Sequence, residues 1–175
     1  APGDPDNDSR AWRLGSLCFI GRWDAKKQVY EWTPGKRVEV SFKQSVRGLL
    51  EPEVAELKGG RVLVVWRGAN APGPEGGTAS ADSPGRKWFS VSDDGGKTLT
   101  PVREWKYDDG TSFYSPSSIH RMLAHSKTGK LYWSGNISPV PPLGNSPRFP
   151  LVMAEVDETI PALKRDTVTL IDDRD

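Results

Sequence analysis

Cysteine is all but absent from this 175-residue chain, which carries one, Cys18, in the apolar run Gly15 to Ile20. A single thiol excludes an internal disulfide framework and a thiolate metal cluster, and its surroundings predict a small buried hydrophobe. An excess of charge of either sign is lacking too. Lys and Arg number 24 against 23 Asp and Glu, so no global field draws the chain to nucleic acid or to an anionic membrane, and neither partner is expected. No segment approaches the ~18 consecutive apolar residues of a membrane helix. HExxH and GxSxG do not occur, and Lys87 in Gly85-Arg86-Lys87 is followed by Trp88 rather than Ser or Thr, which rules out a phosphate loop. No metal and no cofactor follow from these motifs. Helical periodicity is also scarce. The one helix-like piece, 158–165, is short, and Pro161 suits a first turn or a loop better than a helix interior.

What is present is punctuation and aromatic weight. Gly at 18 and Pro at 15, with seven Trp, suggest many turns between short aromatic-rich strands, hence an all-β chain of one domain or part of a larger one. A self-comparison sharpens this. Glu51 to Leu57, a Gly59-Gly60 reversal and Arg61 to Gly68 have a counterpart in Ser115 to Met122, Thr128-Gly129 and Lys130 to Asn136. A Gly/Pro-rich excursion follows each, Ala69 to Gly85 and Ile137 to Pro147. A third strand comes next, Lys87 to Ser92 or Pro150 to Val156, running into an acidic turn. The last strands are expected at Thr98 to Glu104 and Thr167 to Ile171. Matching Pro52 with Pro116 and Gly60 with Gly129 gives an offset of roughly 63 to 69 residues.

Two repeated units of four antiparallel strands match propeller blades. The expected organisation is a flexible start at 1–11, an incomplete blade at 12–47 with strands in Trp12 to Arg22 and Gln28 to Phe42, a blade at 48–111 and a second at 112–175. About two and a half blades do not close a ring of roughly four to eight. The expectation is therefore part of a longer protein whose remaining blades complete the propeller. The opening APGDPDNDSR, without Met, suits a processed or truncated start.

The acidic turn Ser92-Asp93-Asp94-Gly95-Gly96-Lys97-Thr98 admits three readings. A calcium loop of EF-hand type needs oxygen ligands through position nine, a Glu at twelve and flanking helices, and Leu99 and Thr100 follow here instead. A catalytic acidic pair is disfavoured because hairpin tips on outer strands point away from a propeller's axis. A turn closed by side chains remains: Asp, Ser and Thr oxygens bond nearby backbone N–H groups and Gly supplies positive φ.

The spacing of Ser92, Asp94, Gly96 and Thr98 resembles the Asp box (BNR repeat) of bacterial sialidases, or neuraminidases, and related propeller glycosidases, with Leu99 at the usual closing Trp. In the second unit only Asp157 of the box survives. The resemblance covers about residues 48–172. It implies a ring of five or six blades, a secreted or periplasmic location, and an exo-acting glycoside hydrolase on a carbohydrate or glycoconjugate, with an acidic sugar as candidate. Sialidases use an Arg cluster for the substrate carboxylate, a Tyr nucleophile assisted by a Glu, and an Asp acid/base. A neutral nucleophile suits an anomeric carbon already bearing a carboxylate. The candidates here are Glu51 and Tyr114, which precede Pro52 and Ser115-Pro116, for catalysis. Arg67, Arg86, His120, Asn136 and Arg148, at strand ends or on an inner strand, are the candidates for substrate binding. The family's Arg-Ile-Pro opening is missing, since Leu50 and Tyr114 stand two before the prolines. That departure supports an alternative, a non-catalytic carbohydrate-binding or scaffold propeller.

Overall fold

The computed structural model describes residues 14–41, 44–70 and 84–174. The expected flexible start at 1–11, Trp12, Phe42 and most of the Ala69 to Gly85 excursion lie outside the described residues. The described chain is all-β, with antiparallel sheets and no α-helix; its one helical turn is a 3-10 segment, Arg165–Thr167.

Strands β1 (Phe19–Asp24) and β2 (Val29–Pro34) pair as a hairpin. Strands β3 (Leu50–Glu56), β4 (Val62–Arg67), β5 (Lys87–Ser92) and β6 (Arg103–Glu104) form a four-stranded meander in chain order. The third sheet repeats that plan. Strands β7 (Arg121–Ala124), β8 (Leu131–Asn136) and β9 (Leu151–Asp157) run side by side, and the outer edge of β9 is shared by β10 (Ala162–Leu163) and β11 (Thr169–Asp172).

Three expected strands come out shorter, each for a visible reason. Within Thr98 to Glu104, Pro101 has no N–H to give, and Thr100 N donates to the Val91 carbonyl at 2.9 Å while its hydroxyl, not its carbonyl, takes Val91 N at 3.1 Å, so only Arg103–Glu104 joins the regular ladder. Within Thr167 to Ile171, the Thr167 hydroxyl takes the Glu155 N–H at 2.9 Å, and the regular ladder begins only at Thr169. The carbonyls of Pro116 to Ser118 are taken by side chains, and β7 starts at Arg121. The helix-like 158–165 is a turn followed by β10 and the start of the 3-10 segment.

The four-stranded sheet lies in the middle of the packing. On one of its faces Leu63, Val65, Phe89 and Val91 meet Leu131, Trp133, Val152, Ala154, Val156 and Leu163, with Trp105 and Phe113 filling between. On its other face Val64, Trp66 and Trp88 meet Val40, Leu49 and Cys18 from the β1–β2 side. Trp133 folds over Gly135, where a Cβ would come within 2.3 Å of the indole. The β1–β2 hairpin keeps Trp23, Tyr30 and Trp32 at least half exposed, with ring centroids 5.1 and 5.8 Å apart.

The acidic turn is closed by its own side chains. Ser92 Oγ donates to Asp94 Oδ1 at 2.7 Å and accepts from Gly96 N at 2.8 Å. Thr98 donates to Asp94 twice, from N at 2.8 Å and from Oγ1 at 2.6 Å. At Gly96, φ +91, an added Cβ would come within 3.2 Å of Cys18, and Lys36 N donates to the Lys97 carbonyl at 2.7 Å, which ties the turn to the chain that follows the first hairpin. In the last sheet Asp157 Oδ1 accepts from Thr159 N at 2.8 Å and Ile160 N at 3.2 Å, a reduced version of the same device.

These bonds hold the Asp94 carboxyl down at about 2, chiefly through Thr98. An unfolded Asp titrates near 3.9, so the stability that Asp94 adds is present above that value and is lost as pH falls through about 2. Asp94→Asn is expected to melt below the unmodified chain at pH 7, with the gap narrowing below pH 4 and closing near pH 2. Thermal unfolding across that range measures it.

Candidate functional site

Polar groups converge where β3 and β4 meet the Ser115 to His120 segment. Arg67 ends β4 and lies directly opposite Leu50 of β3 and Lys87 of β5. Carried on unbroken, the register of the rest of the ladder, Glu53 opposite Val65 through Glu56 opposite Val62, would set Glu51 itself opposite Arg67. The ladder is not unbroken. Its register slips between Leu50 and Glu53, and Glu51 sits at φ +44, in the left-handed region that a residue with a Cβ rarely adopts. The slip puts Leu50 in that place, and the Glu51 carboxylate still meets Arg67 Nη2 at 3.0 Å.

Arg67 Nη1 donates to the Ser117 carbonyl at 2.6 Å, while Nε is buried without a hydrogen-bond partner among the described residues. Burial lowers the Arg67 pKa, Glu51 opposes that, and Arg47 and Arg148 add to it by repulsion. The charges of Arg47 and Arg148 are thus felt at Arg67 together with that of Glu51. Among the described residues neither Arg47 nor Arg148 forms an ion pair, and a planar fork of donors left open in this way suits a carboxylate or sulfate.

Lys87 is fully buried, and its ammonium donates to the carbonyls of Ser118 at 2.6 Å and Pro116 at 3.3 Å. Burial first, then the charge on Arg67, brings its pKa down to about 7, against the pull of Glu51. His120 is 2% exposed and its Nε2 lies 3.2 Å from the Val65 carbonyl, which makes Nε2 the protonated nitrogen. Burial and the nearby Lys87 lower its pKa to about 3, so the ring is neutral. Arg121, next along the chain, faces the other way and pairs with Glu53.

The remaining sequence candidates fall into two groups. Asn136 is buried, and its Nδ2 donates to the carbonyls of Arg148 at 2.8 Å and Pro150 at 3.2 Å, which fixes the segment that carries Arg148 into β9. Arg86 and Tyr114 form a separate cluster. The Arg86 guanidinium stacks 4.5 Å from the Tyr114 ring centroid, donates to Phe113 O at 2.6 Å and pairs with Glu104 at 3.1 Å. No hydrogen bond joins Tyr114 to Glu51 among the described residues. Ser92, Asp94, Gly96 and Thr98 lie in the turn described above. A groove of about 810 Å3 runs between the outer edges of the two larger sheets, past Phe89, Arg103 and Ile160, and none of the candidates lines it.

Arg47, Asn70, Ser117 and Lys87 escaped the sequence reading. Arg47 stands five residues before Pro52, outside the two-residue spacing searched for. Lys87 had a signal, a lysine heading the otherwise uncharged strand KWFSVS. Comparison with family models, with curated proteins and with solved structures returns no match.

Because Lys87 titrates lower when folded than unfolded, the unfolded chain binds the extra proton between about pH 7 and 10.4. Stability attributable to this group therefore rises with pH across that window and is lost as pH falls to 7. Lys87→Met is expected to flatten the rise, as read from denaturant unfolding at pH 6, 8 and 9.5.

Proposed function

We propose that this chain is part of a sialidase-like β-propeller glycoside hydrolase that acts on a sugar bearing a carboxylate or a comparable anion. The observation that carries the reading is the Glu51–Arg67 pair, set on a bulge beside Arg47 and Arg148. The two successive four-position meanders and the side-chain-closed turn at Ser92 to Thr98 support the blade architecture. In this reading the two larger sheets are neighbouring blades, β3 and β7 line the axis, and further blades supply the rest of the pocket.

The chemistry assigned to each group follows from its type. Arg67 and Arg148 bind the anionic substituent. Tyr114 attacks the anomeric carbon, Glu51 receives the phenolic proton, and the acid that protonates the leaving oxygen comes from a blade outside this chain. Tyr114 lies three residues before Ser117, whose carbonyl Arg67 holds, so the proposed nucleophile and anion site share one short segment. A second reading, a carbohydrate-binding propeller without turnover, is favoured by one specific contact. Arg86 already covers the Tyr114 ring, and the hydroxyl has no hydrogen-bonded base among the described residues.

Aryl glycosides of sialic acid and of glucuronic acid separate the two. Hydrolysis by the full-length protein is expected, with Glu51→Gln and Tyr114→Phe each lowering kcat by about 10²- to 10⁴-fold, the range for loss of a proton-transfer group. Turnover that survives both substitutions overturns the site assignment. Binding without turnover, abolished by Arg67→Met, establishes the second reading.

A further inference from the structure

Asn70 follows β4 by three residues and is 6% exposed. Its side-chain amide is used in both directions: Nδ2 donates to the Pro142 carbonyl at 2.9 Å and Oδ1 accepts from Gly144 N at 3.0 Å. A carbonyl at one residue and an N–H two residues on is the pair of groups that an extended backbone offers to a neighbouring strand. The Asn70 amide thus takes the place of a strand partner for the segment that leads into Arg148. The same segment is held from its other side, where Ser117 N donates to the Gly144 carbonyl at 2.7 Å. Because Arg67 Nη1 holds Ser117 O, the bonds close a circuit: Arg67 to Ser117, Ser117 to Gly144, Gly144 to Asn70, and Asn70 back along three residues of chain to Arg67.

We infer that Asn70 is a positioning residue that sets Arg148 against Arg67 at the anion site, acting through the backbone of Pro142 to Gly144. The inference rests on the anion-site reading given above. The chemistry asks for an amide. Asp keeps the acceptor for Gly144 N but puts a carboxylate against the Pro142 carbonyl, and Ala removes both bonds. Asn136 completes the arrangement from the far end of the excursion, where it fixes the Arg148 carbonyl.

Calorimetric titration of the 175-residue chain with N-acetylneuraminate and with glucuronate tests this. Asn70→Ala is expected to weaken binding about tenfold, Asn70→Asp by less, and Arg148→Ala by at least as much as Asn70→Ala. In the Arg148→Ala background, Asn70→Ala is expected to change binding by less than about twofold, the non-additivity of residues that act through one another. A purely structural role would instead lower the melting temperature and weaken binding equally in both backgrounds. Amide exchange at Gly144 is expected to speed up in Asn70→Ala and to stay slow in Asn70→Asp. Wild-type binding that Asn70→Ala leaves intact, or equal losses in both backgrounds, overturns the inference alone. Absence of wild-type binding to either sugar overturns it together with the anion-site reading.

Discussion

Two cations stand directly opposite each other on adjacent strands, Arg67 on β4 and Lys87 on β5, and the centre of the molecule is organised around keeping them there. Like charges at such a position repel, and one of these two is fully buried. The compensation comes from three consecutive carbonyls. Pro116 and Ser118 accept from Lys87 and Ser117 accepts from Arg67, so the segment crossing from one large sheet to the other gives its backbone acceptors to side chains. Glu51, on the bulge, supplies the negative charge that pairs with Arg67. Breaking any of these contacts takes a partner from a buried or half-buried polar group, a larger cost than the contact itself returns.

This hub also sets how the two large sheets meet. At the β3 and β7 edges, Glu53 accepts from Arg121 and from Met122 N. In the middle the crossing segment is pinned by Ser115 Oγ to the Asn136 carbonyl at 2.7 Å and by His120 to Val65. Toward the outer edge Trp105 donates to the Pro161 carbonyl at 3.0 Å, and Arg61 holds the Glu158 carbonyl. Polar contacts therefore flank the apolar layer between the sheets, and the layer carries most of the burial while they fix its register. The candidate site is the part of this boundary where cations outnumber the groups that satisfy them.

The strands that could be read from sequence are those whose side chains do the packing. KWFSVS and PLVMAEV announce themselves through β-branched and aromatic residues, and the reversals through glycines and acidic turns. The Ser92 to Thr98 turn was legible because its function lies in residue type and spacing alone. The short edges were not, because Thr100 and Thr167 replace ladder bonds with hydroxyl bonds, which leaves no trace in an apolar pattern. Of the site, Glu51, Arg67 and Arg148 were marked by their places at strand ends. Asn70 and Lys87 were hidden, since a buried amide and a buried ammonium look like solvated polar residues until their partners, distant in the chain, are known.

Strand β4 has apolar side chains buried on both of its faces, Leu63 and Val65 on one and Val64 and Trp66 on the other. In evolutionary terms this leaves VLVVW almost no latitude. Neither odd nor even positions can take up a charge without placing it in a core, and a one-residue insertion would exchange the two cores' side chains wholesale. The exposed hairpin of β1 and β2 carries no such restriction on its aromatic face and can drift while the fold persists. Sequence divergence should therefore erase the margins of this protein long before it touches the middle sheet, and a distant relative would be recognised by that strand and by the arginine that ends it.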